Sequence, residues 1–398
     1  MRKALTYDDV NIVPKYSEIE HRDKIDISTK FTKKTRIDIP IVSSPMDTIT
    51  EYEMAHEMLE WGGVGVLHRF NTIEEQSRMM KKLHKEFESY FKIDKDSPQT
   101  LDEAYDQYVK INGYEGYIDD DDGSDIQDYL DMTKERLDSN KRWSKKPLCA
   151  TVGVTGDYLE RAQELINNGC NVLLIDVAHG HHKLVGEAIE KIKTKLATVE
   201  VIAGSVATGE ACEYLCEKGA DAIRVGIGNG SLCETRIRTG VGIPQVTALI
   251  DCTFVADTYS TPIIADGGVR NIGDVCKGLA CGADSIMLGS LLSGTKETPG
   301  TIEKIGEWPN EMLHKKYRGS ASLDSKHDRG DDKNIEGNHK VIPYKGKVKR
   351  ILKDIQEGIR SAFSYVGTNN ISEFHSKVEL IEVTRAGNLE GKPHLLNT

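Results

Sequence analysis

Short apolar runs recur along the 398-residue chain, each ending in a glycine or a polar cluster, and most are followed by a stretch whose apolar positions have helical spacing. Eight runs stand out: Ile39 to Ser44, Gly63 to Leu67, Leu148 to Val152, Asn171 to Asp176, Glu200 to Gly204, Ala222 to Val225, Pro262 to Ala265 and Ser285 to Leu288. They are nearly continuously apolar, as strands covered on both faces are. Amphipathic stretches such as Tyr158 to Asn168, His182 to Lys195 and Gly209 to Lys218 lie between most of them, with Thr208 or Gly209 opening the last and Gly219 closing it. Strand then helix, eight times over, predicts an α/β protein: a (β/α)8 TIM barrel, read as one catalytic domain over 1–398.

Two segments break the repeat. Residues 86–146, after the second strand, are polar and acidic and read as an inserted, solvated helical segment. Its run Asp119 to Asp122 before Gly123 invites comparison with a calcium loop. Placing Gly123 at position six puts Ile118 at position one and Tyr129 at position twelve, so both end ligands are missing and calcium is not expected. The second segment, 315–346, is rich in Gly, Ser, Asp, Lys and Asn and reads as a long mobile C-terminal flap over the active site.

Fifty-two Lys and Arg against 63 Asp and Glu give a net charge of −11, which argues against nucleic acid or an anionic membrane as partner. No run reaches the ~20 apolar residues of a membrane span, and the N-terminus lacks the apolar core of a signal peptide, so a cytoplasmic protein is expected. The eight cysteines form no C-x-x-C pair, and those in helical or apolar contexts, Cys212 and Cys216 among them, read as core thiols.

In such a barrel the chemistry is built where the strands end. After the sixth run comes Gly226-Ile227-Gly228-Asn229-Gly230-Ser231-Leu232-Cys233-Glu234-Thr235-Arg236, whose alternating glycines let the backbone approach an anion, a cation or a ring. A cysteine in this polar loop beside Arg236 suits a thiolate nucleophile, although a tight turn alone also explains the glycines. Asp266-Gly267-Gly268 after the seventh run and Gly289-Ser290 after the eighth stand where barrels hold phosphate groups, and Asp266 suits a pair of ribose hydroxyls. The His179, His181 and His182 group after Asp176 is read as hydrogen bonding to a second ligand rather than to zinc.

The phrases LTYDDVNIVPKYS, IPIVSSPMDTITE, IDVAHGH, VGIGNGSLCETRIRTGVGIPQ, IIADGGVRNIGDV, GADSIMLGSLLSGT and KKYRGSAS resemble the IMP dehydrogenase and GMP reductase family, over nearly all the chain except 86–146. The resemblance implies a purine nucleotide oxidoreductase in which Cys233 adds to purine C2, with Thr235 and Glu336 moving protons. It implies substrate contacts from Ser44, Met46, Ser205, Ser231, Asp266, Gly268, Gly289, Ser290, Tyr317, Gly319 and Ser320, and cofactor contacts from Asp176, Ala178, His179 and Gly226. It also implies a potassium site on the backbone carbonyls of Gly228, Gly230 and Cys233, and a homotetramer or octamer. The insertion is too short for the pair of CBS domains usual in the dehydrogenases.

Direction turns on the flap. The dehydrogenases' Arg-Tyr pair that activates water is missing, since Gly330 follows Arg329, whereas Thr235 and Glu336 keep the couple of the reductases. The expectation is therefore GMP reductase, taking GMP and NADPH to IMP, ammonia and NADP. The alternative is IMP dehydrogenase using NAD, which the opening, the PIVSSPMDT phrase and the tail AGNLEGKPH favour, or a variant acting on a deoxy or modified purine monophosphate. Three residues depart from the family: Ser205 for asparagine, Asn229 for proline or serine, and Glu234 for a small or β-branched residue beside the nucleophile.

Overall fold

The computed structural model describes residues 2–92, 103, 105–106, 130, 146–306, 311–327 and 335–391. Eight parallel strands close into a barrel: β1 (Ile41–Ser43), β2 (Val64–Leu67), β3 (Cys149–Val152), β4 (Val172–Asp176), β5 (Glu200–Val206), β6 (Ala222–Val225), β7 (Ile263–Asp266) and β8 (Ser285–Leu288). Each is followed by its helix: α1 (Tyr52–Glu60), α2 (Ile73–Lys92), α3 (Tyr158–Asn167), α4 (Lys183–Lys195), α5 (Gly209–Glu217), α6 (Gln245–Thr258), α7 (Ile272–Ala280) and α8 (Val348–Val366). By contact density the chain divides into one unit of 1–81 with 147–398 and a second of 82–146. The acidic run Asp119 to Asp122 lies outside the described residues.

The predicted strands and helices are where the pattern put them, with ends moved by a residue or two. One cluster of buried side chains draws on every strand, with Val42, Val64, Cys149, Leu174, Ile202, Ala222, Ile264 and Met287, and is completed by Phe31 and Ile37 from a short hairpin ahead of β1. At roughly 25 cal/mol per Å² of buried apolar surface, each larger member contributes about 1.5–3 kcal/mol. Helix starts are fixed by side-chain caps: Thr208 accepts from the Ala211 N–H and Asn271 from the Asp274 N–H. Gly219, at φ +93°, turns the chain out of α5.

Two differences bear on the site. β5 runs on past Gly204, and Val206 pairs with Val225 after a register shift, so Ser205 is a strand residue. The segment read as a mobile flap holds ordered strands: Met312–Arg318 pairs with Glu303–Ile305 on one side and His339–Pro343 on the other. The polar composition hid this because Lys315 occupies a buried position of the alternation. It is 2% exposed, and its ammonium donates to the carbonyls of Thr295 and Thr298.

Candidate active site

The Cys233 loop leaves β6 through Gly226, which sits against β7. A Cβ there would lie 1.9 Å from the Asp266 carbonyl oxygen, and φ is +152°, so only glycine fits. Asn229 bonds to the buried Gln245, whose amide donates to Val225 O at 2.8 Å and Asp266 O at 3.2 Å. Gln245 thus ties the loop to two strand ends. Arg236 was expected to support a thiolate. Its described hydrogen bonds go instead to the carbonyls of Ile227 and Ile243, so it folds the loop.

Cys233 is half-buried, whereas the other seven cysteines are buried. Burial pushes Cys170, Cys276 and Cys281 up to about 12, as core thiols require. The Cys233 Sγ lies 3.1 Å from Thr235 Oγ1, and Thr235 Oγ1 donates to Glu336 Oε2 at 2.7 Å. The glutamate arrives by backbone pairing. Glu234 N donates to Glu336 O at 2.8 Å, and Asn338 N to Leu232 O at 3.1 Å, with Cys233 opposite Gly337.

Ser231 Oγ and Tyr317 OH are 3.0 Å apart, and Tyr317 is 6% exposed. Burial raises the Tyr317 pKa, which keeps the phenol a neutral donor. A Cβ on Gly289 would lie 3.3 Å from Tyr317 OH, 3.5 Å from Met46 Sδ and 3.8 Å from Ser44 Cβ, so these four residues share one recess. Gly319 lies against Leu232, and Ser320 follows it in the turn after the strand Met312–Arg318. Gly268 backs onto the Tyr7 ring. The Ser290 hydroxyl lies at 3.5 Å from Val269 O, and the Ser290 carbonyl accepts from Lys345. Ser231, Gly268, Gly289 with Ser290, and Tyr317 thus come from the ends of β6, β7, β8 and the strand Met312–Arg318.

A second assembly spans β4, β6 and β7. Arg224, 5% exposed, donates to Asp176 Oδ1 at 2.5 Å, and its Nε stands 3.8 Å from Asp266 Oδ2. Burial works against the guanidinium charge, but the two carboxylates outweigh it and raise the Arg224 pKa. Burial likewise raises Asp266, opposed by Arg224. Asp266 and Asp176, assigned to different ligands, are therefore joined through one arginine. Sequence reasoning missed Arg224, although a charged residue inside the apolar run Ala222 to Val225 was the available signal. Gln245 gave no signal, being an ordinary residue at a helix start.

Ala178 and His179 follow β4 after Val177. Of the neighbouring histidines, His182 caps α4 by accepting from Leu184 N–H at 3.1 Å, and His181 packs on Tyr214 with ring centroids 5.2 Å apart. Glu234 points to the flap and to Arg238, not to the thiol: Arg238 Nε donates to it at 2.7 Å and Asn338 Nδ2 at 3.3 Å. Arg329 and Gly330 lie outside the described residues.

A family model described as "IMP dehydrogenase / GMP reductase domain" matches residues 4–394, and the chain belongs to that family. It is 37% identical to the inosine-5'-monophosphate dehydrogenase of Nitrosopumilus maritimus (strain SCM1), over 99% of this chain and 98% of that one. It is 36% identical to the protein of that name from Cryptosporidium parvum, over 98% and 95%, and 31% identical to that of Escherichia coli (strain K12), over 99% and 96%. The chain is thus an oxidoreductase of a family acting on purine nucleotides. These full-length relatives overturn the expectation of GMP reductase. The physical reason is that a hydroxyl–carboxylate relay moves a proton to a departing amine or from an attacking water equally well, so Thr235 and Glu336 do not discriminate the two reactions. Among the described residues no helix is long and apolar enough to cross a membrane.

Proposed function

We propose that the chain is an IMP dehydrogenase, converting IMP, NAD and water to XMP, NADH and a proton. The observation that carries this reading is full-length likeness to dehydrogenases combined with a thiol, a hydroxyl and a carboxylate in one hydrogen-bonded line at the barrel mouth. In this reading the Cys233 sulfur bonds to purine C2 and the C2 hydride leaves to the nicotinamide. Water then adds to C2, the carbon–sulfur bond breaks, and the thiolate is restored. Splitting the reaction through a covalent intermediate gives two lower barriers in place of one.

Thr235 stands within hydrogen-bonding distance of the sulfur, so it is also beside the carbon that the sulfur would bond. Its proton is directed at Glu336, which leaves the hydroxyl oxygen as acceptor for the attacking water, with the carboxylate as final proton acceptor. Ser231, Tyr317, Gly289 and Ser290 would hold the phosphate. Asp266 would take the ribose, with Ser44 and Met46 against the purine, and Asp176 would face the nicotinamide end. Potassium on Gly228, Gly230 and Cys233 belongs to the same proposal. The carbonyls of Gly228 and Cys233 receive no described hydrogen bond and suit a cation, whereas that of Gly230 already accepts the Cys233 N–H. A tetramer or octamer completes it, testable by light scattering.

The deciding experiment is the absorbance of reduced nicotinamide. It is expected to appear when IMP and NAD are added and to be abolished in Cys233→Ser. Consumption of NADPH on adding GMP, with IMP and NAD inert, would overturn the reading.

A further inference from the structure

We propose that Glu234 is a positioning residue that sets the register of the flap against the nucleophile loop. Its effect on turnover rests on the dehydrogenase reading; its effect on docking does not. The contact between the two segments is short, with two backbone hydrogen bonds flanking the Cys233–Gly337 pair, while the flap side is itself held on the 319–322 turn by Glu336 N to Ala321 O at 3.0 Å and Gly319 N to Asn338 O at 2.9 Å. Backbone groups are identical along a chain, so two bonds do not by themselves choose where the Cys233 loop docks along that flap. A slip of two residues would carry the Glu336 carboxylate about 6–7 Å from Thr235 and break the proton path.

Side chains make the choice. Thr235 grips Glu336 on one side of Gly337, and Glu234 grips Asn338 on the other. Both arms are pre-set. Arg238, one turn further along the short helix Thr235–Thr239, holds the second oxygen of Glu234 through Nε at 2.7 Å and Nη2 at 2.6 Å. Asn338 Oδ1 accepts the His339 N–H at 2.8 Å, which turns its NH2 group toward Glu234. Between the two arms no side chain is admitted, because a Cβ on Gly337 would lie 2.8 Å from Ser322 N. A carboxylate beside the nucleophile is thus aimed at the flap, where it locates Glu336 through its neighbour.

The test uses the full-length enzyme and its Glu234→Ala, Glu234→Gln, Asn338→Ala and Glu234→Ala/Asn338→Ala variants. Hydrogen exchange should be about fivefold or more faster at the Glu234 and Asn338 amides in both alanine variants, and near wild type in Glu234→Gln, which keeps the acceptor oxygen. With IMP and NAD, steady-state turnover should fall about fivefold in each alanine variant while the pre-steady-state burst of NADH stays within about twofold, and the double variant should be no worse than the weaker single. Unchanged exchange in Glu234→Ala, or additive losses in the double variant, would overturn the proposal. Faster exchange without any burst from the wild type would leave register setting intact and sink the dehydrogenase reading instead.

Discussion

The Asp176–Arg224–Asp266 set and the Cys233–Thr235–Glu336 set open onto the same barrel mouth, yet one hangs from three strand ends and the other from a loop and a returning flap. In the first, the barrel fixes the positions and burial makes the charges depend on one another. In the second, a short backbone pairing and the side-chain bonds on either side of it fix the positions, and the groups stay half-exposed. Disturbing the first should therefore cost stability as well as activity, and disturbing the second activity alone.

The sharpest break is Arg224→Met, which leaves two carboxylates at the barrel end without their guanidinium. Losing one partner of a buried ionic set costs about 3–5 kcal/mol, so a clear fall in Tm and loss of turnover are expected. A variant that melts like the wild type would show that the strand-borne charges are not coupled. Glu336→Gln keeps an acceptor for Thr235 and removes the charge. Turnover should drop about 100-fold, or about 2.7 kcal/mol of barrel-mouth chemistry, with Tm unmoved; a parallel fall in Tm would erase the distinction between the sets.

Asp284, at the start of β8, shows what strand burial does to a carboxylate whose hydrogen bond comes from the Ile263 N–H rather than an arginine. Burial pushes it from 3.8 up to about 6. A raised carboxyl pKa means that the folded chain holds the proton more tightly, so its stabilising contribution is full below about pH 3.8 and is lost as pH climbs through about 6. The loss is about 3 kcal/mol, and Asp284→Asn should flatten this part of the stability profile measured by denaturant unfolding. The smallest effect is expected of Gly337→Ala, where the added methyl meets Ser322 N. Turnover should fall about three- to tenfold, or about 1 kcal/mol, with unfolding unchanged; a stability loss would mean that the contact between flap and Cys233 loop carries more of the fold than its two backbone bonds suggest.

The same contrast explains what could be read from sequence. The strands announced themselves through continuous apolar runs, and Asp176 and Asp266 stood out as polar residues where those runs stopped. Arg224 did not, because one charge among apolar neighbours reads as an interruption until its two partners, 48 and 42 positions away, are seen beside it. The Cys233 loop was visible by its glycines. Its closure by Glu336 and Asn338 depends on pairing across about 100 residues, and neither periodicity nor composition records such a contact. The ordered strand Met312–Arg318 was hidden by Lys315, since a buried ammonium satisfied by two carbonyls looks like a solvent-facing residue in a string of letters. Direction of reaction was misjudged because a hydroxyl beside a carboxylate suits either proton transfer.

Gln245 carries a practical lesson for redesign. Through one side-chain amide and its own oxygen it joins Val225, Asp266 and Asn229, without belonging to any of the groups assigned to a ligand. A mutant library built on the barrel mouth should hold this glutamine constant, because diversity there would scramble the scaffold under every other randomised position at once.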